Sequence, residues 1–130
     1  MLQQLKSDPK NICEVDRFVA KIAEKYKLSE EVYANLLISL TEAVNNAIIH
    51  GNCQDCSKTV SIKLRRLTSG LAVRVSDQGA GFDYRKLPDP TAPENIANPG
   101  GRGVFLMNQL CDKMQYQDNG ATVEMRFNLR

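Results

Sequence analysis

The sequence lacks the features that mark secreted, membrane-spanning or nucleic-acid-binding proteins. No apolar run approaches the roughly 20 residues that a membrane span needs, and the start Met1-Leu2-Gln3-Gln4-Leu5-Lys6 lacks the apolar centre of a signal peptide. Lysine and arginine number 17 and acidic residues 15, which gives a formal net charge of +2 without a basic run. Charge alone therefore indicates neither nucleic acid nor an acidic membrane as a partner. We expect a cytoplasmic protein that binds neither.

The four cysteines do not indicate a disulfide framework. The chain has no export signal and enough apolar residues for a core, so its thiols are expected to be free. Cys53-Gln54-Asp55-Cys56 could form half of a zinc site with His50 as a third ligand, but a single CxxC is weak evidence and reduced loop cysteines are favoured. His50, the only histidine, is expected to lie at a helix end, where the helix dipole favours it.

Length and periodicity predict a single domain over residues 1–130. The apolar spacing predicts an α+β, two-layer sandwich with helices packed on one face of a mixed, mostly antiparallel sheet. The elements expected in chain order are an edge strand up to Ser7, a helix from Asp8-Pro9, a helix from Ser29 to Gly51, a hairpin from Lys58 to Val75, a long loop over Phe82–Pro99, a helix over Val104–Lys113 and a hairpin turned by Asp118-Asn119-Gly120.

The first candidate cluster pairs a carboxylate with a carboxamide on the second helix. Glu42 and Asn46 are four residues apart, so they share a helix face. An acid and an amide on an otherwise apolar helix contribute little to a core. They are well suited to holding a hard cation beside a base.

The second cluster is Asp77-Gln78-Gly79-Ala80-Gly81, at the end of a predicted strand. A carboxylate at the mouth of a cavity between sheet and helices can accept a hydrogen bond from an exocyclic amine such as that of adenine, and glycines allow a flat ring to lie against the backbone. An ordinary turn after a strand is the alternative. The acid precedes the glycines, so this is not a dinucleotide-binding fingerprint.

The third cluster is Gly100-Gly101-Arg102-Gly103-Val104, immediately before the third predicted helix. Backbone N–H groups at a helix start favour a phosphate, and Arg102 adds a positively charged guanidinium group there. A flexible hinge beside the proline-rich loop is the alternative. No Gly-Lys-Ser or Gly-Lys-Thr of a Walker motif occurs.

In this order and spacing, the three clusters resemble the ATP-binding boxes of the GHKL, or Bergerat-fold, ATPase superfamily. Three motifs are similar to those of the bacterial anti-sigma-factor serine kinases: Glu-x-x-x-Asn-Ala-Ile-Ile-His-Gly-Asn, Asp-Gln-Gly-Ala-Gly-Phe-Asp and Gly-Arg-Gly-Val-Phe-Leu-Met. The resemblance covers nearly the whole chain. Ile49 stands where histidine-kinase domains commonly carry Lys or Arg, which argues against a two-component sensor.

The resemblance implies a role for each matching residue. Glu42 would be the general base toward a protein serine, Asn46 would hold Mg²⁺, and Asp77 would bind the adenine amine. Thr122 is similar to a threonine that helps bind adenine through water, although Ala121 stands where the family often has threonine. The nucleotide-lining residues would also include Gly79, Gly81, Gly101, Arg102, Gly103 and Val104.

The resemblance also implies a function. The chain would be an ATP- and Mg²⁺-dependent serine kinase acting by partner switching: it would hold a sigma factor or another output protein and phosphorylate a STAS-type antagonist. A homodimer is expected. Two alternatives stay open: a nucleotide-gated binding module that sequesters its partner without phosphoryl transfer, and a plain α+β domain whose glycines are coincidental.

Overall fold

A five-stranded antiparallel sheet forms one layer of the protein. The computed structural model describes residues 1–52, 55, 57–79 and 106–129, and for Asn119 the backbone alone. The strands are β1 (Leu2–Lys6), β2 (Thr59–Arg66), β3 (Gly70–Ser76), β4 (Lys113–Gln117) and β5 (Thr122–Asn128), in the spatial order β1-β2-β3-β5-β4. Every pairing among these strands is antiparallel. The described sheet therefore lacks the parallel pair that a mixed sheet would contain, and the α+β prediction is confirmed.

Two helices form the second layer. Asp8 caps a short 3₁₀ turn (Pro9–Ile12) that leads into α1 (Cys13–Tyr26), and the Ser29 side chain caps α2 (Glu30–Asn46) by accepting a bond from Val32 N–H. Both starts were predicted from the capping residues. A π-helical turn (Ala47–Gly51) continues α2 to the predicted end of the helix at Gly51.

The third predicted helix ends earlier than expected. Residues 106–110 are helical, and Lys113 already begins β4. The reason is a long-range pairing, because Asp112 N–H donates to Arg126 C=O at 2.8 Å and the Asp112 carboxylate accepts from Asn128 N–H at 2.6 Å. These bonds align the chain with β5 before another helical turn can form.

The core lies between the helices and one face of the sheet. Alternate strand residues point into it, as the period-2 pattern predicts, and α1 contributes one apolar stripe. Helix α2 packs against α1 and against β3 and β5. The buried residues of this layer include Val15, Phe18, Val19, Ile22, Leu36, Leu40, Val44, Ile48, Val60, Ile62, Leu64, Leu71, Val73, Val75, Val123, Met125 and Phe127.

The helical stretch Glu30–Gly51 is long and apolar enough, by length and composition alone, to cross a membrane. This differs from the expectation that no stretch would reach that length. In this fold the same residues form the central core helix, since Leu36, Leu40 and Val44 are fully buried. Buried core helices meet such a criterion for the same reason that they are apolar.

Candidate functional site

Glu42 and Asn46 lie on α2 as the spacing predicted, and both are half-buried. Their neighbours Ala43 and Val44 are buried in the core, so the acid and the amide occupy the edge of the apolar stripe. Within the described part of the chain, no hydrogen bond or ion pair engages the Glu42 carboxylate. A carboxylate in this position can accept a proton from a group that approaches the helix.

The helix changes its winding immediately after Asn46. The turn Ala47–Gly51 is π-helical, and Asn52 N–H closes it by donating to Ala47 C=O at 2.8 Å. Turns of this kind often occur at functional sites. Here the wider turn brings Gly51 to the loop that follows β3.

Gly51 and Gly79 allow the helix end and this loop to touch. A Cβ at residue 51 would overlap the Asp77 carboxylate, and a Cβ at residue 79 would overlap Gly51 C=O. Neither glycine has a positive φ, so close approach is what requires glycine here. The sequence motifs around Glu42 and Asp77, 35 positions apart by residue number, meet at this contact.

Asp77 is held at both its backbone and its side chain. Its N–H donates to Ala121 C=O at 2.9 Å, and its carboxylate accepts from Gly79 N–H at 2.8 Å. Partial burial raises the pKa of Asp77, while the Gly79 N–H and the positive charge of Lys58 oppose that rise. The result is a half-buried acceptor at the strand end, of the kind that an exocyclic amine can bind.

Asn52 fixes the loop and was given no role by the sequence reasoning. Its side-chain amide donates to Ser7 Oγ at 2.6 Å and to Thr59 C=O at 2.9 Å, and its Oδ1 accepts from Gln78 N–H at 2.7 Å. Gln78 in turn accepts from Thr59 N–H at 2.7 Å. Asn52 is 1% exposed and joins three separate elements. The signal in the sequence was an asparagine directly after a helix-ending glycine.

Thr122 is placed differently from the other predicted residues. It is buried, its hydroxyl donates to Asp118 Oδ2 at 2.8 Å, and that hydroxyl lies 2.9 Å from Ser76 Oγ. Alternation with the core residue Val123 places Thr122 on the sheet face away from the helices. The contact to Asp77 is made by the neighbouring Ala121, through its backbone.

The helix that follows the third cluster also reaches this region. Asn46 Nδ2 lies 4.0 Å from Met107 Sδ, and Met107 is 1% exposed. Met107 thus contacts the end of α2. The predicted site residues Gly81, Gly101, Arg102, Gly103 and Val104, the predicted loop Phe82–Pro99 and the pair Cys53 and Cys56 lie outside the described residues.

The described residues offer one oxygen ligand, the Asn46 side-chain amide, of the kind that magnesium takes at nucleotide sites. Over 1–52, 55, 57–79 and 106–129, no three His, Cys, Asp or Glu side chains form a metal-binding group. Mg²⁺ at phosphate sites usually takes only one or two protein ligands and completes its shell with water and phosphate oxygens. The amide oxygen of Asn46, one turn from Glu42, is a suitable hard ligand.

Comparison with known proteins decides the classification. The family described as "Histidine kinase-like ATPase domain" matches residues 5–127. The chain belongs to this family. Its relatives include the serine-protein kinase RsbW of Bacillus licheniformis, 34% identical over 80% of this chain and 69% of the relative. The serine-protein kinases RsbW of Listeria innocua and Bacillus velezensis are 27% and 29% identical, each over 94% of this chain and 82% and 81% of the relative.

Family membership confirms the recognition made from the three clusters and makes nucleotide binding a property of this domain. The matched range includes the Glu42–Asn46 cluster and the Asp77–Gly79 part of the second cluster. It ends at residue 127, one residue before the end of β5. The contact between Gly51 and Asp77 therefore lies inside the ATPase domain.

Proposed function

We propose that this chain is an ATP-dependent protein serine kinase that acts by partner switching. It would phosphorylate a STAS-type antagonist and sequester a sigma factor or another output protein. The observation that carries the proposal is the contact of Gly51 with Asp77, which places the helix bearing Glu42 and Asn46 beside a half-buried acceptor. The relatives' description as serine-protein kinases supports the choice of serine.

Each residue has one task in this proposal. Asp77 accepts the hydrogen bond of the adenine amine and so orients the nucleotide. Glu42 takes the proton of the acceptor serine as the serine oxygen bonds to the γ-phosphorus, while the bond from that phosphorus to the bridging oxygen breaks and ADP leaves. Asn46 holds Mg²⁺, which when bound neutralises phosphate charge and fixes the phosphate chain. Gly79, Gly81, Gly101, Arg102, Gly103 and Val104 line the nucleotide. Thr122 is left out of the nucleotide site, because it lies on the sheet face away from the helices.

Further parts of the proposal concern the whole molecule. Residues 1–130 form one domain, supported by the presence of β1 (Leu2–Lys6) and β5 (Thr122–Asn128) in the same sheet. The chain works in the cytoplasm as a homodimer, with a STAS-type protein and an output protein as partners and no membrane or nucleic acid.

Phosphoserine formation tests the proposal. Purified protein, ATP and Mg²⁺ are mixed with STAS-type proteins from the same genome, and transfer is followed by mass spectrometry. Glu42→Gln should keep ATP bound while the transfer rate falls about 10²–10⁴-fold, the range for loss of a general base. Glu31→Gln, in the first turn of the same helix and exposed, is the matched control.

Two results would contradict the proposal. Transfer by Glu42→Gln at the wild-type rate would remove Glu42 as the base. ATP binding by the wild type without transfer to any STAS-type protein would favour a nucleotide-gated module that only sequesters its partner.

A further inference from the structure

The sheet face turned away from the helices is strongly basic. In the described strands this face carries six cationic side chains and one carboxylate, which gives +5 on a chain whose formal net charge is +2, so the remainder carries −3. Strand register and alternation assign these residues to one face. They are Lys6, Lys63, Arg65, Arg74, Lys113, Arg126 and Glu124.

Two pairs of like charge face each other across neighbouring strands. Lys63 lies opposite Arg74, and Lys113 lies opposite Arg126. Like charges directly opposite one another destabilise a sheet, whereas opposite charges in the same positions stabilise it. At these two pairs the face does not carry the charges that sheet stability alone would select, although Arg74 also lies opposite Glu124.

Glu124 organises the arginines at the centre of the face. It is 5% exposed, with Oε1 3.1 Å from Arg74 Nη2 and 3.7 Å from Arg65 Nη2, and Oε2 3.3 Å from Arg126 Nη2. The three arginine side chains remain 58%, 43% and 39% exposed, in the order Arg65, Arg74, Arg126. One buried carboxylate thus contacts three guanidinium groups, and the arginine side chains that carry them stay partly exposed.

We propose that this basic sheet face docks a carboxylate-rich surface of a protein partner. Guanidinium groups bind carboxylates through paired N–H donors, and groups already oriented by Glu124 lose less freedom on binding. The net −3 of the remaining chain disfavours a nucleic acid that extends beyond this face, because its charge is negative along its whole length. A second copy of the same face would set +5 against +5.

This docking surface is separate from the proposed phosphoryl transfer. Helix α2, with Glu42 and Asn46, packs on the opposite face of the sheet against β3 and β5. Variants of the basic face should therefore leave ATP binding unchanged, and the proposal stands or falls independently of kinase activity.

The test combines binding and stability in Lys63→Glu/Lys113→Glu. Neither lysine side chain has a hydrogen bond or ion pair with another described residue, and each substitution converts a repulsive cross-strand pair into an attractive one. Fluorescent poly-L-glutamate should bind roughly tenfold more weakly at low salt. Two exposed lysine–carboxylate pairs are lost, and each contributes up to about 1 kcal/mol. Thermal stability should stay equal or rise. Lys21→Glu, exposed on α1, is the control and should bind like the wild type.

A neutral variant and a second probe complete the experiment. Lys63→Gln/Lys113→Gln should give intermediate affinity, which separates charge from side-chain size. Equal affinity of all variants for poly-L-glutamate, or no binding by the wild type, would overturn the proposal. Tighter binding of duplex DNA than of poly-L-glutamate at equal salt would assign the face to nucleic acid. A dimer lost in Lys63→Glu/Lys113→Glu would assign it to a second copy.

Discussion

Gly51, at the end of the π-helical turn, lies in direct contact with the Asp77 carboxylate at the end of β3. There is no space for a side chain between them. The position of the strand-end acid is thereby set by the helix that carries Asn46, and a change at one is transmitted to the other.

Gly51→Ala should therefore reduce both stability and nucleotide affinity. The added methyl group overlaps Asp77 and must displace it, and overpacking of this kind typically costs about 1–3 kcal/mol. Urea denaturation and ATP calorimetry measure the two effects. Gly70→Ala is the matched control, because its Cβ would overlap Phe127 C=O at the other end of β3. It should lose stability while the folded fraction keeps its ATP affinity; equal loss of affinity in both variants would contradict the coupling.

Asn52→Ala should be among the most destabilising changes of a polar residue in the described part of the chain. It leaves Gln78 N–H and Thr59 C=O without their Asn52 partner and removes one bond of the Ser7 hydroxyl. Unsatisfied buried groups of this kind predict a loss of roughly 2–4 kcal/mol in the free energy of unfolding. Asn128→Ala, exposed on β5, should change stability little. A similar, small loss in both variants would show that Asn52 does not hold the loop.

Asp77→Asn should change stability and binding in opposite directions. Burial raises the pKa of Asp77 above its ordinary value of 3.8, so the folded protein keeps this proton to a higher pH than the unfolded chain does. The ionised carboxylate then opposes folding at neutral pH, and this cost disappears as the pH falls through the raised pKa toward 3.8. The amide variant should be the more stable protein at pH near 7, with an advantage that shrinks toward pH near 4.

The same variant should bind ATP about tenfold more weakly or worse, because a charge-assisted bond to the adenine amine becomes a neutral one. Calorimetry at neutral pH gives the affinity, and urea denaturation at both pH values gives the stability. Asp16→Asn, exposed on α1, serves as control. An Asp77→Asn protein with wild-type ATP affinity would remove Asp77 from the nucleotide site.

Asn46→Ala should separate the metal role from the base role. Without the amide oxygen, the Mg²⁺-dependent part of ATP affinity should fall together with phosphoryl transfer, whereas Glu42→Gln loses transfer alone. Asn46→Asp keeps an oxygen ligand and should retain more Mg²⁺-dependent affinity than Asn46→Ala. ATP titrations with and without Mg²⁺ decide this. An identical Mg²⁺ dependence in all three proteins would exclude Asn46 as the ligand.

The two described cysteines should differ in reactivity. Both are free; Cys13 is exposed, whereas Cys111 is buried and its pKa is raised to about 11. Since the thiolate is the reactive form, iodoacetamide at pH near 8 should label Cys111 at least roughly 100-fold more slowly than Cys13. Peptide mass spectrometry over time measures both rates, and labelling in urea should equalise them. Equal rates in the folded protein would contradict the burial of Cys111.

Local patterns predicted most of the fold. Alternation gave β2 and β3, and capping residues gave the starts at Asp8 and Ser29, because these signals depend on nearest neighbours. The helix end at 110 was not predictable, since it depends on the pairing of Asp112 with Arg126. Periodicity also could not distinguish the π-helical turn Ala47–Gly51 from an ordinary helical turn.

In the candidate site, too, local features were predictable from the sequence and long-range contacts were not. The shared face of Glu42 and Asn46 followed from their spacing alone. The role of Asn52 could not, because its three partners come from different elements. The orientation of Thr122 depends on the register between β3 and β5, which pairs it with Ser76. A threonine that matches a family motif in sequence can therefore face either side of the sheet.

The sheet order has a consequence for synthesis on the ribosome. Strand β5, the last along the chain, lies between β3 and β4 in the interior of the sheet. Until β5 emerges, β3 has a bare edge and β4 has no strand to pair with, so the nascent chain exposes apolar surface and unpaired backbone. Translation stalled before Thr122 would therefore leave an aggregation-prone chain, because the described sheet is complete only once β5 joins it.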